Sequence, residues 1–85
     1  MKSTAVAVGT TLVLAVAADD MKRVIYIHHQ SANAIYIGGA DVTTTNGFHL
    51  EKDDTIAIEL PSRQTIYAIA SHAAQEIRVL TPDVD

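Results

Sequence analysis

Along most of this chain apolar and polar side chains alternate with a period of two. At that period a strand turns successive side chains to opposite faces. Thr55 to Leu60 shows it most clearly, with Ile56, Ile58 and Leu60 on one side and Thr55, Ala57 and Glu59 on the other. Between Gln75 and Leu80, Ile77 and Val79 alternate with Glu76 and Arg78. Arg23 to His29 sets Val24, Tyr26 and His28 against Ile25, Ile27 and His29, so both faces of that strand carry apolar groups. Thr4 to Val8 places Val6 and Val8 together. Gly9 then permits a kink, and Thr11 to Ala17 puts Leu12, Leu14 and Val16 on one face. Ala34 to Ile37 and Thr65 to Ser71 complete the strand-like runs.

Turn-forming residues separate these runs: Asp19-Asp20, Ser31-Ala32-Asn33, Gly38-Gly39, Asp53-Asp54, Pro61 to Gln64, and His72 to Ala74. Pro61 and Pro82 each follow an apolar run, as at strand ends. Ala40 to Leu50 reads as a long loop. Within it Asn46-Gly47 is a turn signal, because both residues tolerate φ > 0. Phe48 and Leu50, either side of His49, are expected to pin this loop to the core. Strands at this spacing predict an all-β fold: a small antiparallel β-sandwich or barrel, jelly-roll-like, of six to eight short strands.

Composition sharpens the picture. Eighty-five residues allow one β-domain, 1–85, with 1–18 as an N-terminal arm or strand pair and 19–82 as the sandwich core. The 48% apolar fraction excludes wholesale disorder. Nine Ile, eight Val and nine Thr against five Leu favour pleated strands, where branched side chains pack well. With thirteen Ala and no Trp the core is thin. A net charge of −4 argues against a nucleic-acid or anionic-membrane partner. The absence of cysteine excludes a disulfide framework, a thiol nucleophile and a Cys-type zinc site. A chain this small, lacking such staples, gains stability by associating with other chains.

The N-terminus carries two readings. Lys2, the apolar stretch Ala5 to Ala18 and the small-x-small triplet Ala15-Val16-Ala17 before Asp19 match an export signal. The stretch is shorter than the roughly 20 apolar residues of a membrane span. Against the signal, Thr4, Gly9, Thr10 and Thr11 interrupt the apolar run, and its alternation has the strand period. The strand reading is preferred.

Candidate chemistry is sparse. His28 and His29 are adjacent, so on a strand they face opposite ways and cannot share an ion. His49 and His72 stand apart, and no His-x-His spacing occurs. Asp19-Asp20 and Asp53-Asp54 read as solvated turn formers; Asp41 and Asp54 offer only a weak calcium possibility. No serine has a nucleophile-elbow context, and Gly38-Gly39 is no phosphate loop. Tyr26, Tyr36 and Tyr67 offer a stacking platform for bases or sugars, but with few cations they read better as half-buried anchors or interface contacts. No catalytic residue, cofactor or metal ligand is assigned.

The most specific segment is Ala34-Ile35-Tyr36-Ile37-Gly38-Gly39-Ala40-Asp41-Val42-Thr43-Thr44-Thr45-Asn46-Gly47-Phe48-His49-Leu50. Downstream come Thr65 to Ala70 and Glu76 to Leu80. In that order these pieces resemble the small β-rich virion proteins of tailed bacteriophages. The resemblance covers residues 24–80 and leaves the first 20 without a counterpart; His28-His29 stands where an Asn or Ser is expected. It implies a capsid decoration (cement) protein on the outer capsid surface of the virion. It also implies a homo-oligomer, expected as a trimer, with the major capsid protein as partner. Such a protein is not an enzyme. Val6, Val8, Leu12 and Leu14 are the expected inter-subunit or capsid contacts, although they serve equally to complete the subunit's own sheet. A fibre-base or connector protein is a variant of this reading. An exported ligand-binding module with a cleaved signal is the alternative.

Overall fold

The computed structural model describes residues 1–82, which form eight strands and no helix. In chain order these are β1 (Lys2–Val8), β2 (Val13–Val16), β3 (Arg23–His29), β4 (Ile35–Gly38), β5 (Phe48–Leu50), β6 (Thr55–Leu60), β7 (Ile66–Ala70) and β8 (Gln75–Thr81). They build two four-stranded sheets, a front sheet in the order β1-β8-β3-β6 and a back sheet in the order β2-β7-β4-β5. Every pairing is antiparallel. Except for the β4–β5 hairpin, each connection crosses from one sheet to the other. This strand order is that of the eight-stranded jelly roll, a β-sandwich made of two interlocked Greek keys.

The core lies between the inward faces of the two middle pairs. Ile25 and Ile27 of β3 and Ile77 and Val79 of β8 face Ile35, Ile37, Ala68 and Ala70 of β4 and β7. Burying each of these larger side chains stabilises the fold by about 1.5–3 kcal/mol before entropy is counted. β1 and β2 do not pair with each other. One joins each sheet, β1 against β8 and β2 against β7, and Val8 and Val16 enter the common core. Cleavage before Asp19 would remove an edge strand from both sheets.

Three details differ from the sequence pattern. Leu14 and Val16 do not share a face: a β-bulge between them turns Leu14 outward while Val16 stays buried. Within the expected loop, Phe48–Leu50 is a strand; Leu50 is buried, but Phe48 is 58% exposed and pins nothing. The Asn46-Gly47 turn has no positive φ. Left-handed backbone falls instead on Asp53 (φ 70°), Arg63 (φ 66°) and Ala74 (φ 62°).

One end of the sandwich is closed by a polar network. His29 is fully buried; its Nδ1 accepts from the Ser31 N–H at 3.2 Å, so Nε2 donates to the Asn33 carbonyl. Gln75 accepts from the Asn33 N–H and donates to the Ala73 carbonyl, both at 3.0 Å. The Ser31 hydroxyl accepts from the Glu76 N–H at 2.7 Å and donates to the Glu76 carbonyl at 3.3 Å. The connections β3–β4 and β7–β8 are thereby tied together, and each buried polar group of the network has a partner.

Candidate interaction surface

The fold separates the groups that the sequence left open for chemistry. His28 lies on the outer face of the front sheet, where its Nδ1 bonds the Thr55 hydroxyl at 2.8 Å, whereas His29 points into the core. His49 stacks on Tyr36 at 5.2 Å on the back sheet. His72 is in the β7–β8 turn beside Ser71. Among the described residues no group of three or more His, Asp or Glu side chains is placed to hold a metal ion. The acidic pairs form turns: Asp19 accepts from the Met21 N–H and Asp54 from the Glu51 N–H. The three tyrosines do not make one platform, because Tyr26 is on the front sheet and Tyr36 and Tyr67 are on the back.

The Gly38 to Gly47 motif has a structural role. The loop from Gly39 to Gly47 folds over the outer face of the back sheet and buries Val42 there. A Cβ on Gly38 would stand 3.1 Å from Val42 Cγ2, and one on Gly47 would stand 2.5 Å from Tyr36 Cβ. Thr43 and Asn46 hold the loop internally. The Thr43 hydroxyl accepts from the N–H groups of Thr45 and Asn46, and Asn46 Oδ1 accepts from the Thr43 N–H. The back sheet therefore supplies part of its own cover.

Among the described residues the front sheet carries no such loop. Its register sets Ser3, Leu80, Tyr26 and Ala57 in one row across all four strands. Val24 stands next along β3. Tyr26 and Val24 are each 43% exposed and Leu80 is half-buried, while Ser3, Ala5 and Ala57 are small and exposed. The result is an open apolar strip. Its rim is charged: Arg78 bonds Glu76 at 3.1 Å, Gln30 also donates to Glu76, and Lys22 pairs with Glu59 at 3.7 Å. An apolar centre within a polar rim is the anatomy of a protein–protein contact.

The two sides of the sandwich differ in polarity. Between β1 and β2 lies a mixed cleft of about 290 Å³, where Lys2, Thr4, Asp19, Arg23 and Thr81 stand beside the apolar segment 15–18 and Val79. Arg23 donates from Nη2 to the Ala17 carbonyl there. On the opposite side a groove of about 330 Å³ is lined by Ile37, Phe48, Ile56, Ile58 and Ile66. Of the four residues expected at contacts, Val8 is buried in the chain's own core. Val6 and Leu12 are half-buried, and Leu14 is 47% exposed on the outer face of the back sheet. Of the Val24–Tyr26–Leu80 strip, the sequence showed Val24 and Tyr26 as the second apolar face of Arg23 to His29, without Leu80 beside them. Comparison with known proteins finds no matching family model, no matching curated protein and no matching solved structure.

Proposed function

We propose that this protein is a virion attachment module, a capsid decoration protein that binds the outer surface of a phage head as an oligomer and stabilises it. The observation that carries this reading is the strip of Val24, Tyr26 and Leu80 on the front sheet, uncovered among the described residues, bordered by small residues and rimmed by charge. Two further features support it. The segment from Ala34 to Leu50 resembles small tailed-phage virion proteins. The strand order is the jelly roll, an architecture that viral capsid domains use among others, which is a fold-level analogy. The mechanism is multivalent burial. Each subunit contributes a small apolar contact, and repetition over a symmetric surface makes the whole attachment stronger than any one of them.

The test is co-sedimentation with heads assembled from the major capsid protein of the same virus. The wild type should pellet with the heads. Val24→Glu combined with Tyr26→Glu should lower the affinity at least about 100-fold, since aromatic anchors dominate such contacts. Both positions are on an outer face, so circular dichroism should stay that of the wild type. Wild-type protein that does not pellet, or a double variant that pellets as well as wild type, would overturn the reading.

A further inference from the structure

The front sheet ends in two free edges, β1 and β6. Free edges are commonly blunted by charged side chains, especially Lys, by Pro or by a bulge. Along Thr55-Ile56-Ala57-Ile58-Glu59-Leu60 the β6 edge has no Pro, Lys or bulge and pairs regularly with β3; the Asp53-Asp54 bulge precedes it, Pro61 follows it, and Glu59 is its one charge. The hydrogen-bonding direction of that edge follows from the ladder. His29 N–H donates to the Asp54 carbonyl and the His29 carbonyl accepts from the Asp53 N–H, a bulge at the entry to β6 that sets the phase of the ladder, with His29 opposite Asp54 on the bonded side. Bonded pairs alternate in an antiparallel ladder. Ile27 with Ile56, Ile25 with Ile58 and Arg23 with Leu60 are therefore bonded too. Thr55, Ala57 and Glu59 then direct their N–H and C=O groups away from β3, toward the open edge. Beside that edge the inward residues Ile56 and Ile58 open onto the groove that holds exposed Phe48.

We propose that the occupant of this edge is a second copy of the chain, paired β6 to β6 in antiparallel fashion across a twofold axis at Ala57. In this register Ala57 faces its own copy, Thr55 faces the partner's Glu59, and Ile56 faces the partner's Ile58. No like charges are opposed. The polarity of the two sides selects this arrangement. A head-to-tail contact, β6 against β1 of the next subunit, would set the apolar groove against the cleft of Lys2, Asp19 and Arg23. The twofold contact sets groove against groove, and it closes, where a head-to-tail contact risks an open chain. The axis is perpendicular to the sheet, so both Tyr26 strips lie on one face of a continuous eight-stranded sheet. The contact does not rest on the head-binding reading, and its readouts need no heads.

The experiment uses sedimentation equilibrium and cross-linking of the full chain. The wild type should show a concentration-dependent mass reaching twice 9.1 kDa. Ala57→Lys, on an exposed position, should sediment as a monomer with the wild-type circular dichroism. Ala57→Cys supplies the only thiol in the chain. Bonded antiparallel pairs stand about 5.5 Å apart at Cα, within disulfide reach. Under mild oxidation this variant should cross-link to a dimer at least about tenfold faster than the loop control Thr44→Cys; the disulfide range favours the former and gives the latter no partner. A wild type that stays monomeric or forms a trimer, or an Ala57→Cys rate equal to the control, would overturn the proposal.

Discussion

Gly47 shows how a glycine can be required by space and not by backbone conformation. Its φ is not positive, so the turn itself would admit other residues. The site would not: a Cβ there meets Tyr36 Cβ at 2.5 Å, Val42 Cγ2 at 2.8 Å and the Thr43 carbonyl at 2.9 Å. None of the three is the loose end of a long side chain. Gly47→Ala should therefore cost about 1–3 kcal/mol, the usual range for overpacking, measured by urea denaturation. Thr81 presents the opposite case. Its hydroxyl is buried and has no hydrogen-bond partner among the described residues. Thr81→Val replaces that group with a methyl of similar shape and should raise the unfolding free energy by about 1 kcal/mol in the same assay. Neither effect can be read from the residue's name. Both depend on which atoms the fold brings beside it.

At the scale of elements, period two located most strands. Arg23–His29 and Thr55–Leu60 lie where the alternation put them. β2 shows where the rule fails. Its alternation Leu12, Leu14, Val16 is regular in sequence, but the bulge before Val16 inserts a residue and turns Leu14 to the outside. A bulge leaves no mark on hydrophobic periodicity, because it belongs to the pairing of two strands. β5 was missed for a related reason. Three residues are too few to show a period, and β5 exists because Ile35, Tyr36 and Ile37 offer an edge to pair with. The front strip, by contrast, was half legible: Val24 and Tyr26 stood out as apolar groups opposite a second apolar set. That the sheet leaves them uncovered required the loop from Gly39 to Gly47 to be seen folding onto the other sheet.

At the scale of the molecule, topology governs both assembly and folding. The jelly roll closes by pairing β1 with β8, which sets Lys2 opposite Thr81 across almost the whole described chain. Six of the seven connections cross between sheets, so most of the core forms only when distant segments meet. Such non-local folds fold in about milliseconds to seconds. Stopped-flow refolding in this range is expected, and a microsecond phase carrying the full amplitude would contradict it. With a core built largely from Ile, Val and Ala, the subunit has modest reserves. The contacts proposed at the front strip and the β6 edge would add burial that the chain alone does not supply.

The sequence by itself determined the fold class and most of the strand positions, because side-chain period and turn chemistry are local properties. It also determined what the chain lacks, with no cysteine chemistry and few cations to offer. It did not determine which strand neighbours which, which outer face is covered, or where the free edges lie. Those depend on pairing between segments tens of residues apart, as with Ile37 and Ala68, and on backbone approaches that only Gly38 and Gly47 permit. The tertiary structure decided that the front sheet carries the open apolar strip and that β6 is one of its two edges, because surface exposure is a property of packing and not of sequence.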